Sequence, residues 1–167
     1  MSNLLHANDL QSFLTSHGIA GEILRPGVPT PTVESAAQAL GVPVEQIVKS
    51  ILCVVKDGGD PKYVLAIACG TAYVDRRLIA AHYAVGHKRV RLAFPEEVLA
   101  VTGYAVGAMP PFGHRQPLPT LIDRRVLALP VVFAGGGDEN AMLRLDPREI
   151  ARITGAAVID LTAVPQK

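Results

Sequence analysis

The chain has 167 residues, 49% of them apolar and only 5% aromatic, with a formal net charge of +1. This length supports one domain with a core of small aliphatic side chains, and the apolar fraction excludes an intrinsically disordered chain. Near-neutral charge excludes a protein that holds nucleic acid by broad counterion release, so DNA is not an expected partner and any RNA contact must be local.

In chain order, residues 8–17 read as a helix capped by Asn8 or Asp9, with Leu10, Phe13 and Leu14 on one face and His17-Gly18 closing it. Residues 22–24 form a short strand and 25–31 a loop. Thr32 caps a second helix in which Val33, Ala36, Ala37 and Leu40 follow helical spacing, and Gly41 stops it. A helical turn over 43–48 leads into a buried strand, 51–55, which returns along 63–69 through KDGGDPK as a β-hairpin. Lys49 stands at the mouth of that hairpin among Ile47, Val48, Ile51 and Leu52. A lysine there either snorkels to solvent or is a cation held at a pocket edge to grip a phosphate or a polarised carbonyl.

Asp75 caps a helix closed by Gly86, and 89–92 is the next strand. Pro95 opens another helix, with Glu96 and Glu97 in its first turn, where the helix dipole favours acids, and Thr102-Gly103 ends it. The chain then enters GYAVGAMPPFGHRQPLP, residues 103–119, too apolar for a solvated linker and too broken for a helix or central strand. Pro110-Pro111 fixes φ twice in succession, while Gly107 and Gly113 permit backbone that a side chain would block. A stiff loop of this kind can present the backbone N–H groups of Gly107, Ala108 and Met109 to a developing oxyanion. A buried crossover packed by Met109 and Phe112 is the alternative. His114-Arg115, attached to the loop, can place positive charge beside a phosphate.

Residues 118–123 read as a strand, and 131–134 with 141–145 as a hairpin turned by GGGDEN. Asp146-Pro147-Arg148-Glu149 has capping-box spacing and starts a helix that ends at Thr154-Gly155, before a last strand over 157–161. Segments 91–106 and 144–158 echo one another and suggest a repeated strand, helix, strand unit. About seven strands and five helices, with two local hairpins, predict an α/β mixed sheet curled toward a barrel with helices outside.

Phosphate-loop, dinucleotide, zinc-protease and serine-hydrolase motifs are absent, and the five histidines lack ligand spacing, so neither a metal nor a cofactor is expected. Cys53 and Cys69 lie in apolar runs and read as reduced, buried thiols. The N-terminus lacks the pattern of a signal peptide and no span reads as a membrane helix, which predicts a cytoplasmic protein.

The order of VESAAQALGVP, QIVKSIL, a hairpin, VDRRLIA, KRVRLAFPEEVLAVTGYAVGAMPPFGH, LPTLID, AGGG and LRLDPREIARITGA resembles the YbaK-like aminoacyl-tRNA deacylases, or prolyl-tRNA synthetase associated domains. The likeness runs from about residue 20 to residue 161, with Lys49 and the Gly107-x-x-x-Pro111 loop at matching positions. It implies a single mixed α/β domain over 1–167 that hydrolyses, in trans, the ester of mischarged aminoacyl-tRNA. It further implies a required lysine at Lys49 and an aminoacyl pocket shaped by residues 107–111.

On that resemblance, Lys49 with Gly107, Ala108 and Met109 form the catalytic set, and Thr30, Ser50, Pro110, Pro111, Phe112, Gly113 and His114 bind substrate. The loop at 29–32, Ile51 and Met109 would enclose a small apolar pocket suited to alanine, serine or cysteine carried on tRNA(Pro) or a related tRNA. Aminoacyl-tRNA is then the partner, with an aminoacyl-tRNA synthetase alongside it. Two other readings stay open: a non-catalytic module that binds the tRNA acceptor end or a synthetase, and a small-molecule ester hydrolase.

Overall fold

The computed structural model describes residues 4–163, which form six α-helices, two 3-10 turns and eight strands. Helix α1 (Ala7–Ser16) buries Ala7, Leu10 and Leu14 and delivers the chain to β1 (Gly21–Leu24). Its N-cap is His6, two residues before Asn8, the earlier of the expected caps, and the Asp9 carboxylate accepts from the His6 N–H at 2.8 Å. Helix α2 (Val33–Leu40) is capped by Thr32, whose hydroxyl accepts from the Ser35 N–H, and is closed by Gly41 in the left-handed region.

The two long apolar runs become β2 (Val48–Val55) and β3 (Lys62–Cys69), an antiparallel hairpin in which Lys49 is inside the strand, opposite Ala68. Helix α3 (Arg76–His82) is shorter than the sequence suggests, because Ala84 takes φ 57 and breaks the turn. There follow β4 (Val90–Leu92), α4 (Pro95–Thr102), β5 (Thr120–Asp123), α5 (Arg124–Leu127), β6 (Val132–Gly135), β7 (Met142–Leu145), α6 (Pro147–Thr154) and β8 (Ala157–Ile159). Helix α5 was not anticipated, since one turn is too short to show periodicity; its start is fixed by the Asp123 carboxylate accepting from the Arg125 N–H.

These strands make two sheets and no closed barrel, which corrects the expectation of one curled sheet. A five-stranded mixed sheet has the order β4-β2-β3-β5-β8, and a three-stranded antiparallel sheet the order β1-β7-β6. Among the described residues a single parallel bridge, Ile47 to Phe133, links their backbones, while Leu52 and Leu65 of the larger sheet and Val132 and Leu143 of the smaller share one core. Pro43 and the 3-10 turn Val44–Gln46 stop the chain from extending along β6, so the curl ends after one pair.

Period-two alternation splits the side chains of the hairpin between two cores. Val48, Leu52, Leu65 and Ile67 pack with Leu10, Leu14, Val98 and Ile150, while Cys53, Val55, Val64 and Ala66 pack with Ile79 and Ala80 of α3. A fully buried side chain such as Leu65 or Ile67 contributes about 1.5–3 kcal/mol. A third cluster, Ala36, Ala37, Ile47, Phe133 and Met142, fills the seam between the sheets beneath α2.

The predicted repeat is only a shared way of starting helices. The Phe94 N–H is capped by the Glu97 carboxylate, and the Asp146 carboxylate caps the Arg148 N–H, but α6 leads into β8 whereas α4 leads into the loop at 103–119. Cys53 and Cys69 form no disulfide; Cys53 is buried as expected, whereas Cys69 is only half-buried. Among the described residues no helix is long and apolar enough to cross a membrane.

Candidate functional site

At the seam between the sheets lies a cavity of about 310 Å³. The first residues of β2, Val48, Lys49 and Ser50, form one wall, and Val33 and Ala36 of α2 another. Thr30, Pro31 and Thr32 border the mouth, and Val106, Gly107, Met109, Gly135 and Met142 close the remaining side. The cavity therefore brings together Lys49, Gly107 and Met109 of the expected catalytic set with Thr30 and Ser50 of the expected substrate binders. Ile51 is not among them: it shares Lys49's face of β2 but lies two residues further along the strand, packed against the α3 core, and Ile47, Val48 and Met142 supply the apolar surface instead.

Lys49 does not snorkel freely. Its ammonium donates to the carbonyl oxygens of Gly70, at 3.4 Å, and of Ala72, and lies 5.6 Å from the centroid of the Tyr73 ring. Burial lowers its pKa below that of an ordinary lysine, while the neighbouring Cys69 acts in the opposite sense. An ammonium has three N–H donors, so two carbonyls leave one for a ligand.

Ser50 shares its face with Val48 and Leu52. Its hydroxyl oxygen is buried and meets no hydrogen-bond partner among the described residues. An unmet buried hydroxyl costs about 1–3 kcal/mol, which a polar ligand atom in the cavity would recover. Thr30 is 5% exposed and is itself an anchor: its N–H and hydroxyl donate to the Glu139 carbonyl at 2.8 and 3.2 Å, tying the loop at the mouth to the turn between β6 and β7.

The loop at 103–119 divides in two. Its first half faces the cavity, with Gly107 at φ 88, a backbone conformation that favours glycine. The N–H groups of Gly107 and Met109 meet no acceptor among the described residues. Ala108 does not match its expected role, because its N–H donates to the Ala105 carbonyl at 3.1 Å and its own carbonyl accepts from the Gly137 N–H at 2.8 Å.

The second half of the loop turns away from the cavity, contrary to expectation. Pro110 is buried, and Pro111, Phe112, Gly113 and His114 line a separate cavity of about 390 Å³ beside Phe13 and His17. His114 donates through Nε2 to the Pro110 carbonyl at 2.8 Å, and burial lowers its pKa, so it offers no positive charge to the site. This hydrogen bond spans the two prolines, both of which are buried.

The glycine run at 135–137 is the part of the site that sequence reasoning missed. A methyl group on Gly135 would lie 2.2 Å from the Met109 carbonyl oxygen, and one on Gly137 would lie 2.8 Å from the Ala7 backbone. The glycines thus let the β6 end press against the loop, and are not simply turn-formers. Their number was the available signal, since a hairpin turn seldom needs three in succession. The carboxylate of Asp138, beside them, pairs with His6 at 2.8 Å and Arg25 at 3.4 Å outside the cavity.

Several known proteins resemble this chain in sequence or in overall structure. The uncharacterized protein YwhH of Bacillus subtilis is 31% identical over 127 residues, which cover 76% of this chain and 77% of that one. The multifunctional Ser/Thr-tRNA deacylase ProXp-y of Escherichia coli is 34% identical over 90 residues, covering 54% of this chain and 53% of that one. A crystal structure described as a candidate trans-editing enzyme for prolyl tRNA synthetase superposes with a TM-score of 0.82 at 35% identity, over 95% of this chain and 97% of the other. The aminoacyl-tRNA editing domain family matches residues 28–153, a span holding the Thr30 loop, Lys49, Gly107 and the glycines that seat them, and the chain belongs to that family.

Proposed function

We propose that the chain, acting as one editing domain over residues 1–167, hydrolyses the ester of mischarged aminoacyl-tRNA in the cytoplasm, with the aminoacyl group held in the seam cavity. The observation that carries this reading is the meeting, on one 310 Å³ cavity, of the Lys49 wall with Gly107 and Met109. An aminoacyl ester is already activated, so hydrolysis needs positioning and oxyanion stabilisation more than a strong protein nucleophile. Lys49, held by two carbonyls, directs its third proton to the ester region or the adjoining phosphate. The amides of Gly107 and Met109 receive the carbonyl oxygen as it becomes anionic, and water attacks the carbonyl carbon, releasing free amino acid and tRNA.

The small volume and the apolar wall of Ala36, Val48, Met109 and Met142 select a small amino acid, alanine, serine or cysteine. One methylene discriminates by only about 1–3 kcal/mol, so these substrates overlap. The deacylase and trans-editing descriptions of two relatives support tRNA as the carrier, a tRNA(Pro) or related molecule, and support a synthetase as companion. The test is a panel of alanine-, serine- and cysteine-charged tRNAs. Wild-type protein deacylates at least one of them, and Lys49→Ala slows that reaction by roughly 10–100-fold, the worth of one hydrogen bond from a charged donor. Wild-type rates in Lys49→Ala would overturn the assignment, and RNA binding without turnover would identify a binding module.

A further inference from the structure

The turn that holds Lys49 also shapes a second opening. Its two acceptors, Gly70 and Ala72, lead directly to Tyr73, and beyond Tyr73 lies a cleft of about 410 Å³ bordered by Asp75, Arg76, Arg77 and His87. Tyr73 is 88% exposed, the highest value among the exposed large apolar side chains, so its ring does no core packing. Its one described ring contact is the Lys49 ammonium, 5.6 Å from the centroid. The cleft and the seam cavity share no lining residue, but the Gly70–Tyr73 turn joins them, its carbonyls holding the Lys49 ammonium and its Tyr73 ring bordering the cleft.

The charge at this opening is positive once internal pairs are set aside. The Asp75 carboxylate accepts from the Arg77 side chain at 3.0 and 3.1 Å and from the Arg77 N–H at 2.9 Å, which neutralises Arg77. Arg76 has no ion-pair partner among the described residues, and His87 adds a ring donor across the cleft. A flat, solvent-facing aromatic ring beside an uncommitted guanidinium is the combination that binds single-stranded nucleic acid, the ring stacking on a base and the cation meeting phosphate. The protein's near-neutral charge requires such contacts to be few and local.

We infer that this cleft docks the single-stranded 3′ end of the RNA immediately before the esterified terminus, with a base stacked on Tyr73 and phosphates met by Arg76 and His87. The inference rests on the editing function proposed above and adds to it the surface that feeds the RNA end past Lys49. It also assigns the Gly70–Tyr73 turn a double role, fixing the Lys49 ammonium on one side and presenting the stacking ring on the other.

The test measures binding of an uncharged acceptor-stem microhelix with a single-stranded 3′ tail, and of a blunt microhelix, by fluorescence anisotropy over a range of salt concentrations. The tailed RNA binds more tightly than the blunt one. Tyr73→Ala raises Kd for the tailed RNA by roughly five- to a hundredfold, the loss of one stacked base, and Tyr73→Phe restores it. Arg76→Gln raises Kd and reduces the slope of log K against log salt by about 0.7, the loss of one single-strand phosphate contact. Thermal melts of all three variants match wild type, because the altered side chains are exposed. Equal affinity for blunt and tailed RNA, or a wild-type Kd in Tyr73→Ala or Arg76→Gln, overturns the inference. These binding results do not depend on turnover, so a protein that docks the tail yet deacylates nothing refutes only the proposed reaction.

Discussion

Replacing Gly135 by alanine tests whether the glycine run sets the position of the loop. The added methyl would lie 2.2 Å from the Met109 carbonyl oxygen, 2.8 Å from its carbonyl carbon and 3.0 Å from the Ala108 carbonyl carbon. All three are backbone atoms, so no rotamer change relieves the overlap. Carbon-to-oxygen contacts in proteins settle near 3.3 Å, which requires the loop and β6 to separate by about 1 Å. The Gly137 N–H bond to the Ala108 carbonyl resists that separation, at 2.8 Å, and Gly137 is itself pressed against Ala7. Misplacing reacting groups by about 1 Å costs on the order of 10²-fold in rate, or about 2.7 kcal/mol of transition-state stabilisation. Overpacking adds a stability loss of about 1–3 kcal/mol, a fall in Tm of roughly 2–12 °C for a domain of this size. Single-turnover deacylation of the best mischarged tRNA, alongside thermal melts, measures both losses. Gly59→Ala is the control, since nothing lies within 4 Å of its added methyl. Wild-type rate and Tm in Gly135→Ala would refute the idea that this contact positions the loop.

Ser50→Ala removes a buried hydroxyl that has no partner, so the free protein should be as stable as wild type or more stable. The same change should lower deacylation of serine-charged relative to alanine-charged tRNA by about tenfold, the worth of one hydrogen bond to a buried group, and an unchanged ratio in a competition assay would remove Ser50 from substrate selection. Glu97 anchors α4 by accepting from Arg91 at 2.8 and 3.0 Å, from the Phe94 N–H at 2.9 Å and from the Tyr63 hydroxyl at 3.0 Å. Arg91 and these donors hold its carboxyl down at about 2, from an ordinary value of 4.5. A depressed acid stabilises the fold above its unfolded pKa and loses that contribution as pH falls toward its folded one. Melts across that acid range should therefore show a steeper Tm loss in wild type than in Glu97→Gln, and parallel curves would contradict the pairing.

Much of the site was legible because each residue carried its own local signal. Lys49 stood out as a cation in an apolar run, and Gly107 as a glycine in a stiff loop, and the cavity joins them. The direction of the loop was less legible, because proline and glycine mark where a chain bends without saying which way. Pro111, Phe112, Gly113 and His114 went to the far side through a hydrogen bond between His114 and Pro110, four residues apart, that no spacing rule predicts. Ala108 was lost for a related reason, since the turn that exposes Gly107 uses the Ala108 amide to close itself on Ala105. Among the folds, long hairpins such as β2 and β3 declared themselves by apolar runs. The division into two sheets did not, because it depends on one bridge at Ile47, and the single-turn α5 was too short to leave a pattern.

The lone Ile47–Phe133 link has an evolutionary consequence. One wall of the seam cavity is built on the larger sheet and the other on the smaller, and with one backbone link between the sheets the spacing of those walls is set by side-chain packing along the seam. Residues packed behind the cavity in that seam, Ala37 and Phe133 among them, can widen or narrow it without lining it. Related chains can thus come to differ in the width of this cavity through positions that a comparison of its lining alone would pass over.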